Sequence, residues 1–162
     1  MNLDFLQVFS GLIAAISVAL TVIYLAVQIK RNTKATYSQT YQFATQALAE
    51  MAATVGRDKD TARIFAIGMA SPEKLEESEY YQFAYLGISL IRRYENVFFQ
   101  YKSGMIDDDF WDGHRENLLW FYHQPGFQKL WEERRLGFSK ILREFLESTS
   151  SEELKTSNVR RV

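Results

Sequence analysis

The stretch FLQVFSGLIAAISVALTVIYLAVQI, Phe5 to Ile29, contains no charged residue, and its strongly polar members Gln7 and Gln28 stand near its two ends. Its uninterrupted middle, Val8 to Val27, matches the helix of about 20 residues that crosses the roughly 30 Å hydrocarbon core of a bilayer. The stretch therefore reads as a transmembrane helix. The fold expected is all-α: one N-terminal transmembrane helix over 5–29, continuing into a cytoplasmic helical bundle of about five helices over 30–148. A short external N-terminus, 1–4, and a flexible polar tail, 149–162, complete the division.

The flanks of the stretch assign its sides. A cleavable signal peptide needs a basic segment ahead of a shorter apolar core and a small-residue cleavage site behind it. Here only Asn2, Leu3 and the acidic Asp4 separate Met1 from the run, which ends in Gln28-Ile29-Lys30-Arg31-Asn32-Thr33-Lys34. A retained anchor is expected. The basic residues Lys30, Arg31 and Lys34 all lie at its C-terminal end, so the positive-inside bias puts that end in the cytoplasm and the N-terminus outside.

Within the anchor Gly11, Ala15 and Ala19 recur every four residues and share one helix face. Small residues at this spacing allow two membrane helices to approach closely, which points to a second copy or another membrane protein as partner; the same residues are also simply common in membrane helices. No His or acidic residue lies at mid-membrane depth, so an intramembrane haem or proton relay is not expected.

Composition bounds the remainder. Of 162 residues about 130 follow the anchor, enough for one domain with a real core. Aromatic residues make up 15%, against only 2 Pro and 8 Gly, a balance that favours long helices over tight turns. The formal net charge is -1, so no global basic excess draws the chain to nucleic acid. The chain has no Cys, which excludes disulfides, thiolate metal sites and cysteine nucleophiles.

Between Gly11 and Gly56 there is neither Gly nor Pro, so the anchor helix is expected to run on with at most a kink near Asn32-Thr33. Tyr37, Tyr41, Ala44, Leu48, Met51 and Val55 form an amphipathic stripe, expected to pack within the chain rather than as a coiled-coil seam. Asp58 or Asp60 can cap a short helix through about Ala70 that buries Ile64, Phe65 and Met69. After the break at Ser71-Pro72, Ser78 is the expected cap of a central helix ending near Ser103. Its apolar face is Tyr80, Phe83, Ala84, Gly87, Leu90, Ile91, Tyr94, Phe98 and Tyr101, widened by Leu86, Ile88 and Phe99. Asp107 to Asp109 read as a cap rather than a calcium loop, because the alternating ligands and distal Glu of such a loop are missing. A further helix to about His123 is broken at Gln124-Pro125-Gly126. The pattern then resumes with Phe127, Leu130, Trp131 and Arg134, and again from Ser139 with Ile141, Leu142, Phe145 and Leu146.

Glu95 is the odd member of the central helix, since it falls among Ile88, Ile91 and Phe99. A carboxylate in that position needs a partner, with Arg92 one turn earlier the nearest and Arg93 an alternative. Arg92, Glu95 and Asn96 together form either a small polar pocket between helices or an internal ion pair that fixes helix register; the ion pair is the expected reading.

Catalytic patterns are missing. His114 and His123 lack the companion His or Glu spacing of a metal site, and there is no glycine-rich phosphate loop or nucleophile elbow. His114 reads as a packed aromatic neighbour rather than a general base. No enzyme activity, metal or cofactor is expected.

Several stretches in order, Ile23-Tyr24-Leu25-Ala26-Val27-Gln28-Ile29-Lys30-Arg31-Asn32-Thr33, Arg92-Arg93-Tyr94-Glu95-Asn96, the Gly104 to Trp111 turn, Gln124-Pro125-Gly126 and Trp131, resemble a family of short uncharacterised bacterial proteins with an N-terminal transmembrane helix and a cytoplasmic helical domain. The resemblance implies a bacterial source, which together with the anchor and its flanking charges gives an inner-membrane location, and it carries no activity, substrate or catalytic residue. The functional expectation is a single-pass membrane protein acting through protein association, as an accessory subunit, scaffold or homo-oligomer. Its partners would be the lipid bilayer and another membrane protein or a second copy. The alternative is a small-ligand sensor or weak enzyme with an interhelical pocket around Arg92, Glu95 and Asn96.

Overall fold

A computed structural model describes residues 3–149, and the expected polar tail, from residue 150 on, lies outside them. Among the described residues the chain is helical throughout, with no strand. Six α-helices follow in order: α1 (Leu3–Gly56), α2 (Lys59–Ala70), α3 (Glu77–Lys102), α4 (Asp108–Tyr122), α5 (Pro125–Arg134) and α6 (Lys140–Ser148). Short 3₁₀ turns occupy Pro72–Lys74 and Arg135–Gly137. The chain divides into two compact units, 1–39 and 40–162, and the boundary falls inside α1.

The first unit is the apolar part of α1. Its most apolar window has a mean hydropathy of 2.4, and none of that window is buried within the chain. A helix of this length and composition fits a membrane anchor and equally a signal sequence. Three of its hydroxyls bond along the helix: Ser10 donates to the Gln7 carbonyl at 3.0 Å, Ser17 to Ile13 at 2.8 Å and Thr21 to Ser17 at 2.8 Å. Such internal bonds satisfy these three donors without water. There is no break at Asn32-Thr33, and α1 runs on to Gly56.

The second unit is a bundle built around α3. The five complete helices α2 to α6 meet the number expected, and the end of α1 joins them. On α1, Ala44 and Met51 are buried while Leu48 and Val55 pack half-buried against the core, so this part of the stripe is used within the chain. On α3 the expected face is the buried one, from Phe83, Ala84 and Gly87 through Leu90, Ile91 and Tyr94 to Phe98, with Val97 added. Phe127, Leu130 and Trp131 of α5, Leu118 and Leu119 of α4, and Leu142 and Leu146 of α6 close the core.

Helix boundaries follow local chemistry. Asp58 caps α2 by accepting the Thr61 N–H and hydroxyl, each at 2.7 Å. The cap of α3 differs from expectation: Glu76 occupies it rather than Ser78, because the Glu79 carboxylate accepts the Glu76 N–H at 3.2 Å and starts the helix earlier. Gly104 follows α3 with φ +70°, a conformation that favours a residue without Cβ. Asp107 caps α4 through the Phe110 N–H at 2.9 Å, and Pro125 takes the first position of α5, where a missing N–H costs nothing.

Four side chains depart from the expected faces. Tyr37 and Tyr41, the first two members of the α1 stripe, are 44% and 52% exposed, Phe99 is 63% exposed and Ile141 is 50% exposed. Phe99 and Ile141 line an open groove beside α3 that no other side chain fills, so the apolar arc of α3 ends at Leu86 and Ile88.

Candidate functional site

Arg92, Glu95, Asn96 and Phe99 follow one another at helical spacing along α3, and the structure brings the first three together with the start of α6. Glu95 Oε2 lies 2.5 Å from Arg92 Nη1, the partner expected from sequence, while Oε1 accepts the backbone N–H of Ser139 at 2.6 Å. Arg92 Nη2 donates in turn to the Gly137 carbonyl, and its guanidinium lies 4.6 Å from the centre of the Phe138 ring. One ion pair on α3 therefore holds the turn before α6 and the backbone N–H of Ser139, the residue at the N-cap of α6.

The electrostatics agree with that geometry. Burial works to raise the Glu95 pKa, but the Ser139 bonds and Arg92 outweigh it and leave the carboxyl below its ordinary value. Both carboxylate oxygens are engaged. The residues face a groove of about 350 Å³ whose other walls are Phe98, Phe99, Lys102, Ser139 and Ile141. Asn96 lines it without a side-chain hydrogen bond among the described residues.

Arg93 has a separate role that sequence reasoning did not foresee. It turns away from Glu95, donates through Nη1 to the Ala47 carbonyl of α1, and lies 3.7 Å from Glu50. Its position four residues after Ser89 places it beside α1, where a second, open groove of about 460 Å³ runs past Phe43, Ala47, Ser89, Arg92 and Asn96. Nothing in the local sequence distinguishes an arginine that reaches a neighbouring helix carbonyl from one that faces solvent.

Neither histidine lines these grooves. His114 donates from Nδ1 to the Phe110 carbonyl at 2.7 Å and stacks on the Phe110 ring, with centroids 4.0 Å apart. His123 has a buried Nε2 without a partner, and burial lowers its pKa. Asp107 and Asp108 serve as helix cap and as acceptor of the Tyr101 hydroxyl. Among the described residues no group of three or more His, Asp or Glu is placed to hold a metal ion.

On α1, Gly11, Ala15 and Ala19 are exposed within the chain, and space is open around the Gly11 Cα. Lys30, Arg31 and Lys34 are likewise exposed. Comparison with protein families, curated proteins and solved structures finds no match to this chain.

Proposed function

We propose that this chain is a single-pass protein of a bacterial inner membrane, N-terminus outside, whose cytoplasmic helical domain acts by associating with other protein. It would serve as an accessory subunit, a scaffold or a homo-oligomer. The observation that carries the reading is the complete exposure of the apolar part of α1 within the chain. A charge-free helix of that length needs a covering that its own chain does not supply, and lipid with a partner helix supplies it. The charges of Lys30, Arg31 and Lys34 support the orientation, and the source rests on the resemblance of several motifs to those of bacterial membrane-anchored proteins.

Purification in mild detergent followed by mass measurement tests the association. A dimer, higher oligomer or stoichiometric complex is expected; a strict monomer without a copurifying partner overturns the reading. A reporter fused after Val162 tests the orientation, and activity confined to the periplasm reverses it.

A small-ligand sensor or weak enzyme is the second reading, favoured by the groove beside Arg92, Glu95 and Asn96. Against it, Glu95 already accepts bonds at both oxygens. A Glu95→Gln variant that loses stability but keeps any ligand bound there supports the structural role.

A further inference from the structure

A different pocket, away from the Arg92–Glu95 pair, opens between four helices of the second unit. Leu48, Met51 and Val55 of α1, Phe65 of α2, Leu90 and Tyr94 of α3, and Phe121 of α4 surround about 280 Å³, with Ala52 and Gly56 completing the lining. Tyr94 is the only lining residue with a hydroxyl, amide or charge. It is 4% exposed, and its hydroxyl makes no hydrogen bond among the described residues. Burial alone raises its pKa to about 12, so the phenol stays protonated and able to donate at any physiological pH. Unbonded within the protein, this hydroxyl is available to donate to the acceptor of a ligand seated in the pocket.

We propose that this pocket binds a neutral, ring-bearing apolar molecule with a carbonyl acceptor, seated against Phe65 and Phe121 and hydrogen-bonded to Tyr94. The chemistry of the lining sets each term. No acid or base lines the pocket, so a charged ligand would be desolvated without a counter-ion. An apolar cavity of about 150 Å³ holds a single benzene ring, and this one is nearly twice as large, which suits two fused rings. The aromatic walls offer stacked and edge contacts to such a ring.

The test uses the full chain in lipid nanodiscs with methionine methyl groups labelled with ¹³C, because Met51 lines the pocket while Met69 and Met105 do not. The probes are 2-acetylnaphthalene and naphthalene, which differ by the acceptor. Saturable shifts of the Met51 methyl, with Met69 and Met105 unmoved, are expected for both probes. Tyr94→Phe should weaken the ketone roughly tenfold and leave naphthalene unchanged, as expected for loss of one hydrogen bond. Ala52→Trp, at the exposed rim, should block both. Unchanged Met69 and Met105 resonances in each variant establish that it is folded. An unmoved Met51 methyl up to the solubility limit of the ketone, or equal ketone affinity in wild type and Tyr94→Phe, overturns the proposal. Oligomer mass is measured separately, so this result stands apart from the association reading.

Discussion

Gly126 at the start of α5 backs onto the carbonyl of Gly68 in α2 so closely that a methyl group built on Gly126 would stand 1.8 Å from the Gly68 oxygen. Phe83 of α3 closes the same junction: it would lie 2.9 Å from that methyl and 2.3 Å from one built on Gly68. Three helices therefore meet at a point with no room for a Cβ. Gly126→Ala should destabilise the domain by at least the usual cost of overpacking, about 1–3 kcal/mol. Gly113→Ala, in α4 with open space around it, should stabilise by about 0.5–1 kcal/mol through helix propensity. Urea unfolding of the two variants checks the contrast, and equal effects would show that the crossing is looser than described.

Glu95 links stability to acid. Its pKa lies below the usual 4.5, so its ionised form stabilises the fold fully above that value, and the contribution is lost as pH falls through the lowered folded value. Glu95→Gln should therefore cost about 1–3 kcal/mol at pH 7, the penalty of leaving partners unpaired. The difference between wild type and variant should begin to shrink below pH 4.5 and vanish only below the lowered folded value. Denaturation midpoints across pH 3 to 7, about that window, measure it. A difference that persists undiminished in acid assigns the loss to packing.

His123 acts in the opposite sense. Burial holds its folded pKa below the usual 6.5, so protonation favours the unfolded chain. The stability of wild type relative to His123→Gln should be constant above pH 6.5, decline as pH falls through that value, and level off below the folded pKa. A flat difference from pH 8 to about 5 would mean that this imidazole titrates alike in both states.

Adjacent residues of α6 separate the buried from the exposed face. Leu142 is 0% exposed and Ile141 is 50% exposed. Leu142→Ala should cost about 2–5 kcal/mol, and Ile141→Ala about 0.5 kcal/mol or less. Similar losses at the two positions would place a partner or another part of the chain over Ile141.

The small-residue face of α1 is tested in the membrane. Gly11→Leu and Ala15→Leu should each shift the assembled species toward monomer, since a larger side chain keeps two backbones apart. Native mass measurement in mild detergent reads the shift. Unchanged assembly moves the association surface away from this face.

What the sequence conveyed was mostly periodic. The buried face of α3 was legible because a long helix repeats its pattern many times, and Asp58, Asp107, Pro125 and Gly104 were legible because caps and turns are local chemistry. The candidate site was half legible. The helical wheel singled out Glu95, and Arg92 lies within one turn, but the Ser139 N–H that occupies its other oxygen comes from a residue 44 positions along the chain. The Gly68–Gly126 contact left no trace for the same reason, since close approach of two backbones has no period. Phe99 and Ile141 misled because apolar character alone does not say whether a neighbour arrives to cover it.

Ala44 and Met51 have a consequence for how the domain can be shed. They are core residues of the bundle, yet they belong to the helix that begins as the apolar span. Proteolytic scission ahead of Ala44 leaves the bundle its full complement of core side chains. A nick near Gly56 carries Ala44 and Met51 away with the severed helix and strips the bundle of two of its buried side chains. The position of a cut along one helix thus decides whether the bundle keeps or loses two of its buried side chains.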